Sequence, residues 1–328
     1  MGRYIIRRLI GVVTLVFIVM TLTFGIFFLV PASPATLACG KSCSPERIAD
    51  INVKLGLDKP IHEQYGSYVK GFFVGRDFAD GTVQCDAPCF GVSFQTDEDV
   101  LRDLLLDRLP ITVSIAIGAA ILWLLIGTTV GVISALKKGT GIDKSAMALA
   151  LGGVSLPVYL TALVISTIIC GRLGWFEYPK YNDFSESPIA WAQGLALPWL
   201  VLAFLYAALY ARITRANMIE TMGEDYIRTA RAKGLKERTV VGKHGLRAAL
   251  TPIVTIFGLD LGALLGGAVL TESAFGLNGV GKLAIDAIGS VDLPVILGVT
   301  VFSAFFIVFA NFVVDIVYAV IDPKVRLA

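Results

Sequence analysis

Charge is scarce in this 328-residue chain: only 16% of its residues are Asp, Glu, Lys or Arg, against roughly 25% in an average soluble domain. With 55% hydrophobic residues and a mean hydropathy of +0.74, that shortage excludes a water-soluble enzyme. Histidine is nearly missing. His62 and His244 are the only two, which argues against a His-built metal centre or catalytic triad, and no metal is assigned to this chain. Nor does one sign of charge dominate. The 28 Lys+Arg and 26 Asp+Glu leave +2, too balanced for a nucleic-acid binder, so the positions of the charges carry the information. Five Cys do not make a disulfide scaffold, and no half of the chain repeats the other.

What the chain has is long apolar runs. A hydrocarbon layer about 30 Å thick takes roughly 20 apolar residues of helix, and six runs near that length occur at 9-30, 111-136, 145-170, 189-211, 248-271 and 293-321. The expected fold is therefore an all-α integral membrane protein with six transmembrane helices. The fourth run, which contains Gln193 and Pro198, is the weakest. Threading the runs alternately with the N-terminus inside places 17 of the 28 bases on the inner side and 18 of the 26 acids on the outer side, with Asp260 and Asp315 inside spans. The positive-inside rule then puts both termini in the cytoplasm. Arg3, Arg7 and Arg8 before an apolar stretch that ends in PASPATLAC also fit a signal peptide, but the stretch exceeds the 7 to 15 residues of a signal core and is read as the first span.

Three regions follow: 1-30, the N-terminus and first helix; 31-105, a polar outer segment; and 106-328, the core of helices two to six with an inner loop at 216-247. In the outer segment Ile48, Ile51 and Leu55, then Tyr65, Tyr68, Val69 and Phe72, recur at helical spacing and predict short helices. Pro45 and Gly56 stand where the first of them begins and ends. Cys39, Cys43, Cys85 and Cys89 all fall here. An oxidising outer compartment favours disulfides, while two CxxxC pairs leave free thiols or a four-thiolate zinc site open; the connectivity is undetermined. Cys170, inside a span, is expected to pack as a small hydrophobe. The stretch 272-292 reads as a short hydrophobic helix at the outer interface.

The inner loop reads as a helix, a stop and another helix. Glu224 and Asp225 open a run of good helix formers, Arg228, Arg231 and Lys233 close it, and Gly234 follows, so each end carries the charge that the helix dipole favours. Tyr226, Ile227 and Ala230 fall on one face at i, i+3 and i+4 spacing, with Thr229 and Ala232 in the same helical run. Taken alone, such a helix either lies on lipid headgroups or is gripped by a cytoplasmic partner.

This loop, GEDYIRTARAKGL with His244, Gly245, Leu246 and Pro252 beyond it, resembles the coupling loop of inner-membrane subunits of ATP-binding-cassette importers. RYIIRRLI at the start, LGLDKPIHEQY, RLPITVSIAI, LTESAFGLNGVGKL and IDPKVR extend the resemblance over essentially the whole chain, toward the dipeptide/oligopeptide permease family and its B-type subunit with a long outer segment after span one. Arg228, Thr229 and Ala230 replace the triplet that begins with Glu in the general importer loop, Leu246-Arg247 replaces a Leu-Pro, and Asn278 stands where related subunits often have Pro. The resemblance implies the binding-protein-dependent importer fold and a bacterial plasma (inner) membrane location. It also implies a path shared with a homologous second permease subunit, an extracytoplasmic substrate-binding protein, peptide substrate, and two cytoplasmic ATPases that hold ATP and Mg and grip residues 224-234. Gly276 to Leu283, GLNGVGKL, nearly fits a phosphate loop, but Leu283 replaces its hydroxyl, so no cofactor is assigned to this chain and no bond chemistry either.

Polar groups inside spans are costly in lipid and face the bundle interior, a partner or water. Asp260, beside Gly258, Gly262, Gly266 and Gly267, either lines the pathway, meeting a peptide's amino group, or serves as a hydrogen-bonding group at a subunit interface. Asp315, with Asn311, is expected to pair with a base near the inner end. Gly127 and Gly131 are expected to pack helices. A self-sufficient proton- or ion-coupled carrier using Asp260 and Asp315 is the rival reading, although the inverted repeats usual for such carriers are not evident.

Overall fold

The computed structural model describes residues 2-29, 35-36, 44-55, 58-78, 83-93 and 95-321. Among them five helices are long and apolar enough to cross a membrane, and the remaining expected span, the third, is a bent pair. Helix α1 runs Gly2–Leu29. Two short helices follow, α2 Pro45–Leu55 and α3 Ile61–Val74, then a hairpin of β1 Arg76–Phe78 and β2 Val83–Cys85 in antiparallel register with Arg76 opposite Cys85. This hairpin was not expected from the sequence, since three-residue strands offer too little alternation to read. A π-helical turn over Val100–Leu105, opened by the Asp99 carboxylate accepting from the Leu101 and Arg102 amides, leads into α4, Leu106–Leu136.

The expected span 145-170 is instead α5 Gly141–Ser155 and α6 Val158–Ser166, which continues as a π-helical turn to Arg172, with a bend of 100° between the two pieces. Pro157 causes the break. It has no amide hydrogen to give, and it holds the residue before it, Leu156, in an extended conformation (φ −89°, ψ 128°). The run assigned least firmly proves the longest: α7 covers Pro188–Met222 through Pro198 without interruption. The loop expected over 216-247 therefore begins after Met222. The fifth span stops at Leu265 as α9, Leu246–Leu265, because Gly267 adopts φ +135° and meets the Gly281 backbone so closely that a Cβ there would lie 2.9 Å from its Cα. The stretch read as one helix at 272-292 belongs to two, α10 Val269–Phe275 and α11 Val280–Ser290. The last span, α12 Leu293–Ile321, agrees with expectation.

The chain divides into two compact units. The first contains 1-112, 265-269 and 278-309. Its core joins Met20 and Phe24 of α1, Tyr68 of α3, Phe90, Leu105, and Val280, Leu283 and Phe302 of the later helices. Leu283 is thus a core residue, not part of a phosphate loop. Phe24 meets the Tyr65 and Tyr68 rings at 5.3 and 5.5 Å, so the helical spacing of the tyrosines serves packing. Arg76 lies over the Tyr68 and Phe78 rings at 5.5 and 4.8 Å, and burial pulls its guanidinium down to about 10. Cys85 and Cys89 form a disulfide; Cys39 and Cys43 lie outside the described residues. Ser93 donates to Asp292 at 2.5 Å, and the Thr112 hydroxyl accepts from the Val280 amide at 2.9 Å.

The second unit contains 113-264, 270-277 and 310-328. Here α4 lies directly on α7. A Cβ at Gly127 would lie 2.7 Å from the Tyr210 Cβ, and one at Gly131 would lie 2.7 Å from the Ala211 carbonyl oxygen, so both glycines are required by close helix packing. Trp191 and Trp199 of α7 donate to the Ser114 hydroxyl and carbonyl at 3.0 and 2.9 Å. Between α4, α5 and α7 an apolar groove of about 550 Å³ stays open, lined by Ile126, Val130, Leu149 and Phe204 among others. Cys170 does not pack as a buried hydrophobe. It is a partly exposed free thiol whose Sγ lies 3.5 Å from the Glu177 carbonyl.

Candidate functional site: the 224-234 helix and the Asp260 cluster

Helix α8 is Asp225–Ala232, with Glu224 at its N-cap in an extended conformation and Lys233 at its C-cap. Gly234 follows at φ +75°, the left-handed conformation glycine adopts most cheaply after a helix. The order acid first, base last and glycine beyond thus fixes both ends as the sequence predicts. Its burial pattern differs in one respect. Ile227 and Ala230 are buried and form a small core with Val240, backed by Met222, whereas Tyr226 is 46% exposed. One residue is a 100° step around a helix, and that step carries Tyr226 off the buried stripe.

The rest of α8 faces outward: Glu224, Asp225, Arg228, Thr229, Arg231, Ala232, Lys233 and Gly234 are all exposed. Arg231 pairs with Glu237 at 2.7 Å, Arg228 reaches Asp225 at 3.4 Å, and the Thr229 hydroxyl donates to the Asp225 carbonyl at 2.9 Å. These surface pairs contribute little stability. They do align the side chains of a helix that presents two arginines, a lysine and a tyrosine on one accessible surface. The guanidinium of Arg231 holds the pair charged, its own proton affinity raised first by the Glu237 hydrogen bond.

Asp260 lies on α9, and its Oδ2 accepts the Tyr210 hydroxyl of α7 at 2.8 Å. Gly262 is buried on the same helix. Gly266 belongs to the other unit, where its carbonyl accepts the Ser303 hydroxyl at 2.5 Å. Asn311 is partly buried on α12 and makes no hydrogen bond to Asp260 among the described residues; the side chain of Asp315 lies outside those described. The sequence reading missed two features here. Tyr206 and Tyr210 stand four residues apart in an otherwise apolar span, a spacing that was legible. Arg215 of α7 grips Asp143 of α5 with two hydrogen bonds of 2.6 and 2.7 Å, and the Ser134 hydroxyl joins the same carboxylate. In the sequence each of that pair is one more charge beside a span.

Among the described residues no group of three or more His, Cys, Asp or Glu could hold a metal.

Residues 1–116 match the family model described as the N-terminal part of the binding-protein-dependent transport system membrane component, and residues 127–327 match the model of the inner membrane component itself. A peptide transport system permease protein of Brucella abortus (strain 2308) is 37% identical over 99% of this chain and 99% of its own length. The di/tripeptide transport system permease protein DppB of Pseudomonas aeruginosa is 36% identical over 98% of both chains. The glutathione transport system permease protein GsiC of Escherichia coli is 35% identical over 99% of both. In fold, the chain is similar to the inward-facing MetNI methionine ABC transporter, with a TM-score of 0.53 at 20% identity, covering 67% of this chain and 96% of the other. A multi-pass helical chain, matched by both family models over nearly its whole length, belongs to the binding-protein-dependent transport system inner membrane component family: it is a permease subunit and not itself an enzyme.

Proposed function

We propose that this chain is one of two homologous permease subunits of an ATP-driven peptide importer in a bacterial inner membrane, with the substrate path between the two. Relatives matched end to end and named for peptide, di/tripeptide and glutathione transport support the substrate class. The observation that carries the mechanism is α8, a helix seated on its own small core with an exposed charged face. In this reading residues Glu224 to Gly234 dock on a cytoplasmic ATPase, and closure of two such ATPases on ATP and Mg shifts α8 and the spans attached to it. The distribution of Lys and Arg supports cytoplasmic termini, which puts 31-105 on the side where a binding protein would deliver its cargo. Asp260, Gly262, Gly266, Asn311 and Asp315 are the part of the chain assigned to the path or to the contact with the second permease. A self-sufficient ion-coupled carrier finds no support in relatives named as components of transport systems.

The test is extraction in mild detergent, capture by a C-terminal tag, mass spectrometry of stoichiometric partners and an ATPase assay on the same sample. A second six-span subunit, ATP-binding chains and hydrolysis are expected. A lone chain or homodimer without hydrolysis would overturn the reading.

A further inference from the structure

Asp260 stands about 21 Å along α9 from Leu246 at 1.5 Å per residue, deep in an apolar stretch where a carboxylate is costly unless something offsets its charge. One oxygen is satisfied by the Tyr210 hydroxyl. The other accepts no hydrogen bond, and no Lys, Arg or His pairs with the group among the described residues. The neighbouring walls are aromatic. Tyr206, one turn from Tyr210 on α7, stacks on Trp123 at 4.6 Å, and the Trp123 ring lies 6.1 Å from both Tyr210 and Phe257. Trp123 and Tyr210 are sealed in the packing, at 0% and 1% exposure, while Asp260, Tyr206 and Phe257 stay partly exposed. Gly258, two residues before Asp260, packs against Val314 of α12.

A half-satisfied, partly exposed carboxylate in an aromatic cluster suits a compact hydrogen-bonding cation. A metal ion fits poorly, because hard cations take six or more oxygen ligands and among the described residues no group of three or more His, Cys, Asp or Glu could hold one. A primary ammonium can donate to the unused oxygen and rest its remaining charge on the rings. Resting on the peptide-importer reading above, we infer that Asp260, oriented by Tyr210 and flanked by Tyr206, is a binding site for the protonated amino terminus of a peptide in transit.

The experiment measures uptake of radiolabelled Ala-Ala and N-acetyl-Ala-Ala by cells that carry the complete transporter as their only peptide importer. Wild-type and substituted complexes share one binding protein, so a change in the ratio of the two substrates belongs to this chain. Asp260→Asn is expected to raise half-saturation for Ala-Ala by about tenfold, the scale of one lost charge-assisted contact, with N-acetyl-Ala-Ala little changed and the ATP-hydrolysing complex intact. Asp260→Glu should stay close to wild type and Tyr210→Phe should fall between. An Asp260→Asn complex with unchanged half-saturation and substrate ratio would overturn the assignment. So would one that loses the second permease subunit on purification, which would give Asp260 to the subunit contact. A wild-type complex that neither imports Ala-Ala nor hydrolyses ATP would instead sink the peptide-importer reading, and this site with it.

Discussion

Asp143 depends on a partner 72 residues away. It receives two hydrogen bonds from Arg215, one from the Ser134 hydroxyl and one from the Gly139 amide, so every face of the carboxylate is used. The planar fork of arginine is what makes the two-bond grip possible. Removing either partner leaves a desolvated charge alone, the costly case for such pairs. Asp143→Ala and Arg215→Ala should each lower the thermal stability of the purified chain, and the double substitution should lose less than the two single losses combined. Thermal unfolding in detergent checks this, and strictly additive losses would mean the pair is not coupled. The pair was not legible beforehand because a base or acid beside a span satisfies the positive-inside pattern without any partner. Asp260 was legible as a costly group and so was the spacing of Tyr206 and Tyr210; that the Tyr210 hydroxyl meets the carboxylate was not, since a Tyr in an apolar run differs little from a Phe until its hydroxyl is located.

At the scale of elements, α8 was the most readable part of the chain. Its ends follow from local chemistry that no tertiary contact needs to supply: carboxylates at the N-terminal pole, bases at the C-terminal pole, and a glycine at positive φ. Its attachment is a separate matter, resting on Ile227 inside a core of only four residues. Ile227→Ala removes most of that anchor at about 2 kcal/mol, the low end for a buried isoleucine. Amide exchange across 225-240 should therefore rise by roughly thirtyfold while the spans keep their protection; equal rates in both chains would show that α8 is held by something else. Gly234→Pro demands φ near −65° where the backbone has +75°. It is expected to abolish uptake while the protein still accumulates in the membrane, and normal transport would count heavily against the coupling role. The bend at Pro157 shows the converse. A strong apolar run at 145-170 suggested one straight span, and a single proline overrode it because the residue before a proline resists the helical conformation.

For the whole molecule, five of six apolar runs became long helices, because a 30 Å hydrocarbon layer leaves the backbone few alternatives. Boundaries suffered where a turn was decided by backbone contact, as at Gly267 against Gly281. The topology is open to direct measurement. In a chain whose other cysteines are replaced, Ser185→Cys should react with a membrane-impermeant maleimide in intact cells, and Lys236→Cys should react only after permeabilisation. The reverse pattern would invert the charge-based orientation.

Helix α7 continues 35 residues through Pro198 without a break and hands over to α8 across Gly223 and Glu224. At 1.5 Å per residue it is a rod about 52 Å long. Pivoted at one end, such a rod sweeps its far tip by about 0.9 Å for each degree of tilt. Four degrees imposed at Met222 would carry the Pro188 end through about one carbon-atom diameter, with Trp191 and Trp199, hydrogen-bonded to Ser114, near the fast-moving tip. Leverage of this kind requires no change in the fold of any segment, only a lever arm longer than the bilayer is thick.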